Sequence, residues 1–283
     1  MELEPGEFGL RAVPKGGWEV RQQAYCVERQ IHELHFNHAK GYQSTGSYAF
    51  LAGLAGLQGL KVLDPLLEDL DFLAAQPALR ALDLSFTGKL RRGIDLQRLP
   101  RLERLTLLSR FSGMDSLFGC SGLRRLALAH FPGKMASAMF ASLAGLEQLS
   151  LSALVLPELD ALGEFKALER LSVSGNRSLQ SLAGLAGATS LRALKLESCP
   201  QIGSLAPLAA LSRLETLWLY DCGKLESLQP LAACRQLREL NILGDTTIAD
   251  GQLGLLRELP QLQRICVVAK KHYQPAAAAV NRG

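Results

Sequence analysis

No stretch of this chain reaches the ~18 uninterrupted apolar residues that a membrane-spanning helix requires, so a bilayer span is not expected. The amino terminus, Met1-Glu-Leu-Glu-Pro-Gly-Glu, is acidic and has no apolar h-region after it, so it does not read as a secretory signal. Charge of one sign is never in large excess. Lys and Arg total 31 against 27 Asp and Glu, a net +4 over 283 residues, too mild and mixed to imply nucleic acid or an anionic membrane. The six cysteines, at 26, 120, 199, 222, 234 and 266, include no C-x-x-C pair. These absences favour a soluble protein of the reducing cytoplasm.

Catalytic groupings are missing too. No Ser/His/Asp or Cys/His set shares a strand end, and paired acids such as Asp69 and Asp71 read as a solvated loop. Gly53, Gly56 and Gly59 form G-x-x-G-x-x-G, but no Lys-Ser/Thr follows to complete a phosphate loop. The same Ala-Gly-Leu spacing returns at Gly184 and Gly187, which assigns these glycines to the turns of a repeat. His32, His35 and His38 fall on an expected strand, where odd spacings alternate faces and the outer two stand ~20 Å apart, too far to share one metal ion. An enzyme is therefore not expected, and neither is a metal or cofactor.

What the chain does have is repetition. Leu168, Leu171 and Val173 return as Leu191, Leu194 and Leu196, then as Leu214, Leu217 and Leu219, then as Leu237, Leu240 and Ile242, in steps of 23 residues. The motif apolar-x-x-apolar-x-apolar starts at Ile31, Leu57, Leu79, Leu102, Leu123, Leu146, Leu168, Leu191, Leu214, Leu237 and Leu262. A fixed period of this length means stacked supersecondary units sharing one core. Between strands, Ile202, Leu205, Leu208 and Leu211 recur as Leu225, Leu228, Leu231 and Cys234, a second core column.

From about Ile31 to Val268 the pattern resembles the leucine-rich-repeat family, L-x-x-L-x-L-x-x-N/C-x-L, in the short 22–23-residue form of bacterial members. The resemblance implies an α/β solenoid of about eleven short parallel strands forming a concave sheet, with a convex side of turns and short 3₁₀ or helical segments. Eight residues past each motif start, Asn176, Cys199 and Cys222 fill the family's ladder position; Pro65, Thr87, Arg110, Phe131, Leu154 and Asp245 do not. Strand spacing of ~4.8 Å would admit a Cys199–Cys222 disulfide, yet the family's ladder cysteines imply buried thiols bonded to loop backbone. The ladder role likewise outweighs a glycosylation reading of Asn176-Arg177-Ser178.

Three segments are expected: an N-terminal cap over 1–30, the solenoid over 31–268, and a closing segment with a tail over 269–283. In the cap, Pro14-Lys-Gly-Gly marks a turn, and Trp18/Val20 with Tyr25/Val27 alternate as short strands would. Met135, Met139 and Leu143 suggest a helical turn, and Asp250 an N-cap ahead of Leu253 and Leu256. Tyr273 is expected to close the last repeat, with the final few residues loose.

Residues two, four and six past each motif start face the concave side. They are Glu33, His35 and Asn37 at one end, then Lys61, Asp83, Arg104 and Arg125, and finally the residues expected to bind protein: Arg170, Lys195, Glu197, Trp218, Tyr220, Glu239, Asn241 and Arg264. Trp218 and Tyr220 alternate with Leu217 and Leu219, so two aromatics stand outside among charges, the composition of an interface hot spot. One residue past the start, Arg80, Glu103, Arg124, Glu147, Glu169, Arg192, Glu215 and Arg238 form a row in which charges often oppose the neighbouring repeat's, as cross-strand ion pairs do. The expected function is a non-enzymatic, monomeric module binding another protein through its concave face, with no nucleic acid and no membrane. A bacterial sequestering inhibitor or immunity protein fits that description. The alternatives are a secreted effector or adaptor aimed at a host, and an enzyme with a site formed between repeats.

Overall fold

Each repeat motif closes into one short strand, and the period-two alternation of that strand decides which side chains enter the core. The computed structural model describes residues 1–282 and divides into two compact units, Met1–Phe131 and Pro132–Gly283. In the first unit an antiparallel hairpin, β1 (Glu2–Pro5) and β2 (Leu10–Val13), is followed by helix α1 (Val20–Glu28). Five repeat strands come next: β3 (Glu33–Asn37), β4 (Gly59–Leu63), β5 (Ala81–Ser85), β6 (Arg104–Leu107) and β7 (Arg125–Ala129), each parallel to the one before, with β2 parallel to β3. The second unit has β8 (Gln148–Ser152), β9 (Arg170–Ser174), β10 (Ala193–Glu197), β11 (Thr216–Tyr220), β13 (Glu239–Leu243) and β15 (Arg264–Val267). The short strands β12 (Lys224–Leu225) and β14 (Thr247–Ile248) pair with each other.

Pairing in the second unit is residue for residue. Leu171, Leu194, Leu217, Leu240 and Ile265 form one cross-strand row, and Val173, Leu196, Leu219, Ile242 and Val267 another, all buried. The chain returns through 3₁₀ turns such as Ala183–Gly187, Ala206–Ala210 and Gln229–Ala233, which bury Leu185, Leu208 and Leu231. A repeat of 22–23 residues has no room for more than such a turn. Among the described residues α1 is the one α-helix, and no helix is long and apolar enough to cross a membrane.

From β7 through β13, the residue that follows each long repeat strand turns left-handed. His130, Ala153, Ser198 and Asp221 do so at φ between 51° and 55°, beside Gly175 and Gly244 at 63°. The conformation costs a non-glycine residue ~1 kcal/mol, and a hydrogen bond between repeats opposes that cost: Ala153 N–H donates to the Ser174 carbonyl, and Ser198 N–H to that of Tyr220 at 2.8 Å. The ladder side chains then turn inward. Asn176 Nδ2 donates to the Leu156 carbonyl at 2.7 Å, and the Cys222 thiol to that of Leu196 at 3.3 Å. All six cysteines are free thiols. Burial pushes Cys222 up to about 12 and Cys234 up to about 11, keeping both protonated.

A fixed offset of eight misses the rest of the ladder. Thr246 Oγ1, nine past its motif start, accepts from Cys222 N–H at 2.9 Å and donates to the Leu219 carbonyl. In the first unit Ser109, seven past its start, accepts from Phe86 N–H at 2.8 Å. Asp64, also at seven, is buried and accepts from Tyr48 Oη at 2.8 Å. Repeats of unequal length move the same role by one residue.

Several expectations need correction. Residues 20–28 form a helix, not strands, because Glu19 and Gln22 make a reciprocal capping box and Arg, Gln and Ala are good helix formers. Val20 and Val27 are left exposed, while Trp18 stacks on Phe50 with centroids 4.6 Å apart. The Met135 region is a 3₁₀ turn, Ser137–Leu143, that buries Ser137, Phe140 and Leu143 at a spacing of three. Asp250 accepts from Gln252 N–H, ahead of the 3₁₀ turn Gly254–Arg257, and does not cap it. Asn281 and Arg282, expected to be loose, are tied to β15: Arg282 bridges Ile265, and the Asn281 side chain exchanges hydrogen bonds with the Val267 backbone. Tyr273 is buried, its hydroxyl accepting from Ile248 N–H at 3.0 Å.

Glu33 and His35 do not present themselves to solvent. They are 2% and 7% exposed, because β2 pairs beside β3, the Gly6–Phe8 loop packs on the Glu33 carboxylate, Glu4 approaches His35, and Arg11 of β2 donates to that carboxylate at 2.7 Å and 3.0 Å. Gly59 is a strand residue of β4, not a turn residue, and a Cβ there would collide with the Glu33 side chain. His35 is held down to about 4 by burial, then by the charges of Lys61 and Lys40, with Arg11 adding to them and Glu4 opposing.

Two predictions follow from this packing. Leu217→Ala opens a cavity between stacked repeats and is expected to lower unfolding stability by ~2–5 kcal/mol in urea titrations; no loss would mean Leu217 is not in the core row. An unfolded imidazole takes up a proton near pH 6.5 that folded His35 refuses until about 4. Stability due to a neutral His35 is thus complete above ~pH 6.5 and lost as pH falls toward 4, by on the order of 3 kcal/mol at most. His35→Gln should flatten that part of the stability–pH curve, measured as the difference between the two proteins.

Candidate protein-binding face

With Leu217 and Leu219 inside, β11 turns Thr216, Trp218 and Tyr220 outward, and the pairing register aligns neighbours beside each. Trp218 lies between Lys195 of β10 and Asn241 of β13, Thr216 has Glu239 as its partner, and Tyr220 stands opposite Glu197. Trp218 is 38% exposed and Tyr220 42%.

Glu239 organises this cluster. Its Oε1 accepts from Trp218 Nε1 at 3.0 Å and from Asn241 Nδ2 at 3.0 Å, while its Oε2 accepts from Arg264 Nε at 3.0 Å and from Arg264 Nη2. The Arg264 guanidinium holds the Glu239 carboxyl below the usual carboxylate range, and the Asn241 and Trp218 donors add to the effect. A carboxylate so held fixes the indole, leaving the Trp218 face free while its N–H is satisfied. Lys195 pairs with Glu197 of its own strand at 2.7 Å.

Beside Trp218 is a depression of about 440 Å³ whose lining includes Gln148, Ser150, Arg170, Ser172, Ala193, Lys195, Thr216 and Glu239. Its lining combines small side chains with the buried Leu149, Leu171 and Leu194 and with the charged Arg170 and Lys195. Of the expected residues, Trp218, Glu239, Asn241 and Arg264 are joined by hydrogen bonds. Arg170 and Lys195 meet Trp218 at the depression, while Tyr220 and Glu197 stand side by side outside it. Ser150, Ser172 and Ala193 were missed because small residues carry no chemical signal of their own. Their signal is positional: Ser150 and Ser172 are cross-strand neighbours at one outward slot, and Ala193 sits at an outward slot between Arg170 and Thr216.

Among the described residues no group of three or more His, Cys, Asp or Glu is placed to hold a metal ion. Fold and face together are those of a leucine-rich-repeat solenoid, an architecture that supports protein interaction. No family model matches the chain, and no curated protein sequence does. Solved structures do. The chain is similar to an internalin (InlF) from Listeria monocytogenes at 23% identity and TM-score 0.68, over 84% of this chain and 67% of that one. It is similar to internalin C2 of the same organism at 26% identity and TM-score 0.57, over 68% and 81% of the respective chains. The functional domain of InlJ, which includes a cysteine ladder, matches at 19% identity and TM-score 0.59, over 83% of this chain and 54% of that one.

These similarities correct the cytoplasmic placement. Internalins are secreted or surface-associated proteins. The unpaired cysteines carry no contrary weight, since Cys199, Cys222 and Cys234 are buried core and ladder groups whose thiols bond to backbone carbonyls.

The Glu239 arrangement is testable without a partner. In a Trp18→Phe background, Glu239→Ala should make Trp218 fluorescence more readily quenched by acrylamide and lower the melting temperature by no more than a few degrees, since exposed charge pairs are worth about 0–1 kcal/mol. Unchanged quenching would mean that Glu239 does not hold the indole.

Proposed function

We propose that the chain binds a partner protein through the β8–β15 face, with Trp218 as the anchor, and acts as a sequestering inhibitor that occludes the partner's working surface. The observation that carries this reading is a part-exposed tryptophan, held by Glu239, in the lining of a depression that also contains small side chains. Aromatic anchors of this kind dominate interface energetics. A side chain already held in place, on paired strands, loses little further freedom on binding. Arg170 and Lys195 in the same lining add charge that steers an acidic partner patch into register.

A second reading is an effector or adaptor whose partner belongs to another organism. The similarity to internalins favours it. Both readings use the same face and differ in the source of the partner.

The test is affinity capture of the tagged chain beside a Trp218→Ala/Tyr220→Ala control, followed by titration of any stoichiometric partner. Trp218→Ala should weaken binding by more than ~1 kcal/mol, about five-fold or more, with the melting temperature nearly unchanged. A partner encoded in the same genome, whose activity falls on binding, supports the inhibitor; one from a host supports the effector. A partner bound equally well by the control would move the interface off this face.

A further inference from the structure

The loop Gly6-Glu7-Phe8-Gly9, between β1 and β2, does not end at the sheet edge. It reaches across the outward face of the first unit. Glu7 pairs with Arg104 of β6, and with Arg125 of β7 at 3.6 Å. The Arg80 guanidinium lies over the Phe8 ring, 4.8 Å from its centroid, and Phe8 N–H donates to the Glu33 carboxylate. Gly6 has to be glycine for the approach, since a Cβ would run into that same carboxylate.

Arg104 and Arg125 are direct cross-strand partners in the β6–β7 register. Like charges so placed repel, and sheets ordinarily avoid them. Here the pair forms a two-pronged anion site that Glu7 fills from above, with Arg80 supplying a flat cation for an aromatic ring. The filling is imperfect. Arg104 Nε and Asp83 Oδ1 are buried without hydrogen-bond partners, 4.0 Å apart. The ion pairs that hold the tip are partly exposed, a kind that is weak individually.

We propose that Arg80, Arg104 and Arg125 form a second docking site, for an acidic residue followed by an aromatic one in a segment of a protein partner, and that Glu7 and Phe8 occupy it in cis until the partner displaces them. The tip is a built-in competitor. The site is separate from the Trp218 face and does not depend on it.

The probe is a fluorescent nonapeptide with the sequence of residues 3–11, followed by anisotropy against the full chain. The Glu7→Ala/Phe8→Ala variant should bind it saturably and at least ten-fold more tightly than the unsubstituted chain. Adding Arg104→Ala/Arg125→Ala should abolish binding, as should Glu7→Lys in the peptide. Equal affinity for the emptied and unsubstituted chains overturns the proposal, as does no saturable binding up to millimolar peptide by a folded emptied variant. Should the double variant fail to fold, Glu7→Gln decides: a gain of at least three-fold supports displacement, and no gain overturns it.

Discussion

Parallel pairing in strict register is the constraint on which the second unit depends. Leu194, Leu217 and Leu240 lie in one row because each repeat between them has the same length, and their side chains meet in one core because strands alternate faces. A slip of one residue in β11 would bury Trp218 and Tyr220 and expose Leu217 and Leu219. The exposure of the aromatics is thus a consequence of the leucines, and the binding face inherits its precision from the core beneath it.

In the second unit the register is defended at the ends of β8 to β13. Left-handed residues such as Ala153, Ser198 and Asp221 are unfavourable alone, and their N–H groups find partners only in the next repeat. Asn176 then satisfies the loop carbonyl of Leu156, and Cys199, Cys222 and Thr246 donate to the carbonyls of Val173, Leu196 and Leu219 near the strand ends, groups that burial keeps from water. Cysteine suits this place as a small apolar residue with a weak donor. Such thiols report packing and not the redox state of a compartment.

Strand positions, the second core column and the outward set around Trp218 were legible because all follow from apolar periodicity, the strongest local signal a chain carries. The amino-terminal hairpin was not, since Glu2–Pro5 and Leu10–Val13 belong to no repeat and their partners lie far away in sequence. Glu33 and His35 occupy outward slots by the same rule that exposes Trp218, and only the hairpin beside them reverses the outcome. Glu239 was legible as an outward residue but not as the group that holds Trp218, because the contact depends on rotamers of side chains 21 residues apart. Unequal repeats hid Asp64, Ser109 and Thr246 from a fixed-offset ladder test.

The charges around Glu239 and those around Arg104 and Arg125 are resolved in different ways, and the difference bears on function. In the second unit Glu239 and Arg264 are cross-strand partners, and Lys195 and Glu197 are neighbours on one strand, so neutralisation runs within the plane of the sheet. Nothing is then required above the plane, and the Trp218 ring stays open. In the first unit Arg104 and Arg125 face each other with like charge, and no in-plane arrangement of the two can relieve the repulsion. Asp83 of β5 reaches only Arg104, at 4.0 Å, and the anion that meets both guanidiniums, Glu7, comes from above. A face neutralised laterally is ready for a partner, whereas one neutralised from above is covered by whatever neutralises it, and an incoming partner has to supply the same charge.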